Sequence, residues 1–207
     1  MATSPRATVR QYWVAIRAMI VLTVALGILY PLVITGIGQL AFRGQANGST
    51  ITGASGRDVG SSLIAQSFSG KDGAPLTQWF QPRPSAVDFD ANGSGGSNLG
   101  PNNPDLVKAI DARKKVIEQT YGVTAAQIPA DAVTASFSGL DPDVSIAYAD
   151  LQVAKVAQTR GLPVAQVQKL VAENTHGRDL GYLGDAYVNV VTLNAALAKM
   201  DPSGNGE

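Results

Sequence analysis

A run of about 25 residues without a single charge, AMIVLTVALGILYPLVITGIGQLAF from Ala18 to Phe42, constrains this chain more than any other feature. As a helix rising 1.5 Å per residue it measures roughly 37 Å, against a bilayer hydrocarbon core of roughly 30 Å, so it is long enough to span a membrane. Tyr12 and Trp13 stand just before it, where an interfacial aromatic pair belongs. A cleaved signal peptide would carry an apolar region of only about 7–15 residues, closed by a small-x-small site. Here the run is longer, and Gln39-Leu40-Ala41 is a poor cleavage site. The reading is a membrane anchor over residues 14–42, preceded by a short N-terminus of residues 1–13. Arg6, Arg10 and Arg17 precede the apolar run and only Arg43 closely follows it. By the positive-inside rule the N-terminus is expected to be cytoplasmic and the remainder of the chain extracytoplasmic.

Within that helix Thr23, Gly27, Pro31, Thr35 and Gly38 recur at spacings of four, four, four and three, which places them on one face. Small residues let membrane helices approach closely, so the stripe is a candidate packing interface for a partner helix. Pro31 is expected to kink the helix, with a neighbour satisfying the carbonyl that it frees.

Beyond the anchor, charge narrows the choices. The first 43 residues hold four arginines and no acid, which leaves 12 of the 16 basic residues against all 16 acidic ones, a balance of −4. Nucleic-acid binding needs clustered Lys and Arg, so a mildly acidic domain excludes it. The absence of cysteine excludes disulfides, thiolate chemistry and Cys-ligated zinc.

Residues 43–58, rich in Gly, Ser, Thr and Asn, read as a flexible link; residues 59–200 as one domain; residues 201–207 as a disordered tail. Val59 to Phe68 is a short strand or buried turn. Residues 71–104 show no helical period, but Trp79, Phe80, Val87, Phe89 and Leu99 predict a long loop ordered against something. A helix comes next, capped by Asn103, opened by Pro104 and closed by Gly122, with Leu106, Ile110, Arg113, Ile117 and Tyr121 on one face. A second is expected to start at Asp141-Pro142, with Asp141 as its cap, and to stop at Gly161. A third starts from Pro163. The β-branched Tyr187 to Leu193 predicts a strand, followed by a short helix through Met200. Helices dominate over a small sheet, so the fold class is α+β: a single N-terminal transmembrane helix followed by one mixed extracytoplasmic domain.

Chemistry is sparse. His176 is the lone histidine, and no nucleophile with an orienting acid can be named for it. The pairs Asp88/Asp90 and Asp141/Asp143 have the residue types for acid–base work or a hard cation, and equally for turns and caps. No zinc-ligand spacing, nucleophile elbow or Walker loop occurs. The loop Ser94-Gly95-Gly96-Ser97-Asn98-Leu99-Gly100 has the composition to present backbone N–H groups to an anion, and equally to make a tight structural turn. The residues alone thus describe an anchored domain that does not look catalytic, with no metal site.

Several segments together resemble one family, the KdpC subunits of the potassium-transporting Kdp ATPase. They are Tyr30 to Gly36, Gly60 to Gln66, Trp79 to Ala86, Ser94 to Pro101, Pro129 to Ser136, Ser138 to Pro142, Gly177 to Gly184 and Val188 to Val190. Their order and spacing cover the chain from about residue 14 to 197. The chain departs from the family pattern at Phe137, Asp143 and Asn174. The resemblance implies a four-part complex: a channel-like subunit that selects potassium, a P-type ATPase subunit that hydrolyses ATP, a very small one-helix subunit, and the C subunit. The C subunit is expected to aid assembly and to act as a catalytic chaperone raising the ATPase subunit's affinity for ATP. ATP is thus a possible ligand by resemblance, and potassium the transported ion. Arg83 and Ser94, Gly95, Gly96, Ser97 and Asn98 are the candidate contacts, for a nucleotide or for a partner. A domain outside the cytoplasm would instead act on potassium access.

Overall fold

The uncharged run is helical, and the helix begins well before it. In the computed structural model, which describes residues 5–53 and 55–205, α1 runs Pro5–Leu22 and α2 Tyr30–Ala41. Between them Thr23–Leu29 forms a π-helical stretch, so the helix is not the uninterrupted α-helix assumed for the small-residue stripe. The N–H of Tyr30 reaches back five residues to the carbonyl of Ala25. Pro31 explains the position: it has no N–H to give, and its ring would strike the carbonyl one α-turn back, so the preceding turn widens. Gly27 still faces Thr23, since a Cβ there would sit 3.8 Å from Thr23 Cγ2. Thr8–Ala41 is long and apolar enough to cross a membrane, and its most apolar stretch buries no residue within the chain.

The chain divides into two compact units, Met1–Ser49 and Thr50–Glu207. Residues 43–58, expected as a flexible link, carry regular structure instead. A helical turn, α3, occupies Arg43–Ala46, and β1 (Thr50–Thr52) pairs antiparallel with β2 (Asp58–Ser61). Such a hairpin is hard to see from composition, because its Gly and Ser residues serve the turn as well as they would a linker.

In the second unit α4 spans Pro104–Tyr121, with the Asn103 side chain accepting from the N–H of Asp105 at 2.8 Å, Pro104 in the first turn and Gly122 at the stop. After a short α5 (Ala130–Val133) comes β3 (Asp143–Ser145), then α6 (Ile146–Arg160), α7 (Val164–Glu173), β4 (Thr175–His176), β5 (Tyr187–Asn189) and α8 (Val190–Met200). The three short strands form an antiparallel sheet in the order β3-β5-β4, with Val188 opposite both Val144 and Thr175. The mixed α+β architecture with one N-terminal apolar helix is the expected one.

Two boundaries differ from expectation. Asp141 does not cap α6; Ser145 does, accepting from the N–H of Tyr148 at 3.1 Å while Asp131 holds its hydroxyl and N–H at 2.9 and 2.7 Å. Residues 143–145 are taken by pairing with β5, so the helix starts after them. Likewise only Tyr187–Asn189 of the expected strand is extended. Asn189 accepts from the N–H of Thr192 at 3.1 Å and starts α8, so that cap and the burial of Val190 and Leu193 override the β-branched propensity. The expected disordered tail is also structured through Asn205: a 3-10 turn covers Pro202–Asn205, and Asp201 is ion-paired with Arg160 at 3.2 Å. Gly206 and Glu207 lie outside the described residues.

The core gathers Val153, Val156 and Ala157 of α6, Val167 and Val171 of α7, Val188 of β5 and Leu193 and Leu197 of α8 around Phe80, which is fully buried. Phe80 belongs to no helix or strand, so its peptide groups have no neighbouring strand to bond. Two buried amide side chains fill that role. Asn194 of α8 accepts from Phe80 N–H and donates to Phe80 C=O, both at 2.9 Å. Gln152 of α6 does the same for Gln81, at 2.7 and 3.2 Å. Replacing Asn194 with Leu leaves two buried backbone groups unpaired, each costing about 1–3 kcal/mol. Asn194→Leu is therefore expected to lower the melting temperature of the full chain by roughly 10 °C, read by circular dichroism in detergent; an unchanged melting point would show that the clamp is dispensable.

Candidate functional site

The two amide clamps hold the start of a segment, Trp79 to Ala86, whose remaining residues are tied down one by one. Arg160 donates from Nε to the Gln78 carbonyl at 2.7 Å, and its guanidinium lies over the Trp79 ring, 4.4 Å from the centroid. The Gln81 side chain donates to the carbonyls of Phe68, Leu76 and Trp79. Arg83 meets Asp141 at 2.9 Å, Pro84 C=O accepts from Ser136 N–H at 2.9 Å, and the Ser85 hydroxyl donates to Gly139 C=O at 2.8 Å. Arg83, Pro84 and Ser85 thus all bind one turn, residues 136–141.

The glycine-rich loop binds the same turn. Gly95 N–H and the Ser94 hydroxyl both donate to Ser138 C=O, at 2.8 and 3.1 Å. A Cβ on Gly96 would stand 2.9 Å from Phe137 O. Opposite, Gly139 has a φ of +70°, and a Cβ there would meet Val87 and stand 2.8 Å from Gly95 O. Both glycines are therefore spent on close backbone approach. Ser97 and Asn98 remain exposed, Asn98 with φ +53°. The structure brings Arg83 and Ser94 to Gly96 together on the 136–141 turn and leaves Ser97 and Asn98 exposed to solvent. The Gly95 N–H is engaged within the chain, so an anion at this loop would have to rely on other groups.

Next to this turn the sheet carries the other candidates. The His176 ring stacks on Tyr187, with centroids 4.9 Å apart. Asp143 Oδ1 accepts from Asn189 at 2.9 Å, and Asn189 also donates to Ser62 C=O at 2.8 Å. Burial, with Asp141 nearby as a second cause, pushes the Asp143 carboxyl above its ordinary pKa of 3.8; the Asn189 hydrogen bond and His176 act the other way. Asp201 moves oppositely: the Ser203 hydrogen bond, with Arg160 assisting, holds its pKa down. Asp88 and Asp90 lie in turns, Asp88 at φ +51° and Asp90 accepting from Asn92 N–H at 2.9 Å. Among the described residues no three His, Asp or Glu side chains converge.

Sequence reasoning missed Gln152, Asn194 and Arg160. A signal existed for Gln152: it shares the helical stripe of Ala149, Val153 and Val156, and an amide on an apolar stripe needs a buried partner. Its partner, a backbone segment 71 residues away, was not legible.

Comparison with known proteins covers nearly the whole chain. Residues 12–199 match the family described as KdpC, the K+-transporting ATPase c chain. The chain belongs to the KdpC family. Relatives named "Potassium-transporting ATPase KdpC subunit" include one from Streptomyces avermitilis, 43% identical over 97% of this chain and 98% of its own length. One from Beijerinckia indica is 47% identical over 87% and 89%, and one from Mycobacterium bovis 42% over 92% and 99%. The matched span runs from within α1 to the last turn of α8, so the clamped segment, the glycine-rich loop and the sheet all lie inside it.

The raised pKa of Asp143 carries a sign. The folded state holds its proton more tightly than the unfolded chain does, so ionisation opposes folding. Stability is lost as pH rises from the unfolded value through the folded one. Asp143→Asn, which keeps an oxygen to accept from Asn189, is expected to raise the melting temperature at pH 7, with the gain shrinking towards pH 4. A gain that instead grew on acidification would refute the desolvation account.

Proposed function

We propose that this chain is the accessory, non-catalytic subunit of an ATP-driven, high-affinity potassium uptake complex in a bacterial cell membrane. Family membership over residues 12–199 carries the reading, because relatives of full length bear the name of a potassium-transporting ATPase subunit. A helix whose most apolar stretch has no residue buried within the chain supports an anchor whose partners are lipid and other helices. The sparse chemistry supports a non-catalytic role: Asp141 is paired with Arg83, and His176 is stacked on Tyr187.

The partners in this reading are a channel-like potassium-translocating subunit, a P-type ATPase subunit and a small single-helix subunit. The stripe Thr23, Gly27, Pro31, Thr35 and Gly38 serves as the helix-packing interface; a Cβ on Gly36 would meet nothing within 4 Å, and one on Gly27 or Gly38 only ordinary van der Waals contacts at 3.8 and 3.5 Å. Space inside the chain is thus available there, and bulk would be felt by a neighbour. The domain itself offers exposed apolar side chains at Phe137, Leu180 and Tyr182, at 85, 80 and 70% exposure, which suit contact with a partner subunit.

Three arginines ahead of the uncharged run and one closely after it favour a cytoplasmic N-terminus and an extracytoplasmic domain. On that topology the chain raises the ATPase subunit's affinity for ATP through assembly, as a catalytic chaperone acting at a distance, and Ser94 to Asn98 contact a partner rather than a nucleotide. The engagement of Gly95 N–H with Ser138 supports the same preference. A second reading, favoured by the exposed apolar side chains, seats the domain at the channel-like subunit and has it shape potassium access.

A tagged chain purified from potassium-starved cells is expected to bring with it a P-type ATPase and a polytopic channel-like protein, with potassium-stimulated ATP hydrolysis in the eluate. Elution of the chain alone would remove the function. For topology, Ser97→Cys is expected to react with a membrane-impermeant thiol reagent added outside intact spheroplasts, since Ser97 is exposed and the chain holds no other cysteine. Labelling only after lysis would invert the topology and reopen direct contact with ATP.

A further inference from the structure

A cleft of about 370 Å³ lies between the clamped segment and α4. Its size lies in the range of small-molecule sites, which run from roughly 300 to 1,000 Å³ and combine apolar walls with a few convergent polar groups. The walls are largely apolar, with Phe68, Pro82, Phe89, Val116 and Ile117 among them. The charges are one-sided: Arg83 and Arg113 line the cleft and no Asp or Glu does. That is unexpected in a region whose 16 acids outnumber its 12 basic residues.

The two arginines differ. Arg83 is neutralised by Asp141 at 2.9 Å, although its buried Nε has no hydrogen-bond partner. Arg113 makes no ion pair among the described residues. Among the described residues its hydrogen bond runs from Nη1 to the Val133 carbonyl at 2.9 Å. Loss of water around it lowers its pKa, the mark of a charge held without enough compensation. A partly desolvated guanidinium beside aromatic and proline walls is the arrangement that takes an anion attached to an apolar body, because the charge-assisted bond and the apolar burial act together.

We propose that this cleft is a binding site for a small organic anion, a carboxylate carried on an apolar or aromatic group, with Arg113 as the anchor and Phe68, Phe89 and Val116 as the apolar walls. The site is independent of the subunit role, so its failure would leave that role untouched.

The test uses the full chain in detergent, with empty micelles as the blank, and 3-phenylpropionate as the probe, measured by calorimetry and saturation-transfer NMR. One saturable site is expected, binding the acid at least about tenfold more tightly than neutral 3-phenylpropan-1-ol, the difference made by one charge-assisted bond. Arg113→Gln is expected to remove that preference. Because this change also withdraws the bond to Val133, a second variant fills the cleft without touching it: Val116→Trp, at a half-exposed position, is expected to keep the fold and abolish binding. No saturable binding, equal binding of acid and alcohol, or undiminished binding in Val116→Trp would each overturn the proposal. So would efficient cross-linking of a photoreactive residue at position 116 to another subunit of the assembled complex, which would make the occupant a protein.

Discussion

A backbone segment buried without a strand beside it is the constraint on which the domain depends. A peptide group taken from water must find a hydrogen-bond partner or cost free energy comparable to a lost bond. Phe80 sits in the centre of the core, so its peptide groups must be met there. Asn194 and Gln152, whose amides carry one donor and one acceptor side by side, imitate the edge of a strand and meet them on two consecutive residues. Tyr121 donates its hydroxyl to the same Gln152 oxygen at 3.2 Å, which ties α4 to the clamp as well. Helices α4, α6 and α8 are thereby joined through one irregular stretch of chain.

The residues just after that clamp inherit their position from it. Once Phe80 and Gln81 are placed, Arg83, Pro84 and Ser85 arrive at the 136–141 turn, and the glycine-rich loop closes on the other side of it. By composition, the glycines of that loop would suit an anion cradle. In the folded chain they are the residues that let two backbones touch, since side chains at Gly96 or Gly139 would collide with the backbone opposite. The same composition serves either purpose, and only the neighbour decides.

The KdpC family match spans both the long apolar helix and the mixed domain that follows it. The long apolar helix and the exposed apolar side chains at Phe137, Leu180 and Tyr182 are surfaces that a partner can cover. The π-helical stretch ahead of Pro31 shows the helix accommodating a proline by widening one turn, at the place where close helix approach is expected.

Local signals determined much of this in advance. The long uncharged run, the Asn103-Pro104 start and Gly122 stop of α4, the Gly161 stop of α6 and the Pro163 start of α7 each arise from interactions within a few residues, and each stands in the structure. Where expectation failed, a distant partner had intervened. Residues 143–145 became a strand because β5 pairs with them, Val190 to Leu193 became helix because Asn189 caps it over a buried face, and Asp201 was drawn in by Arg160 from 41 residues away. The acid-free cleft around Arg113 was equally invisible, as it arises from segments meeting across the fold, while the local hairpin at residues 50–61 was hidden because its Gly and Ser residues would suit a linker as well. The sequence by itself determined the long apolar helix, the ends of α4, the stop of α6, the start of α7 and the family. Only the tertiary structure decided which polar side chains are buried and what they hold, because the energy of a buried donor depends on a partner that no local window contains.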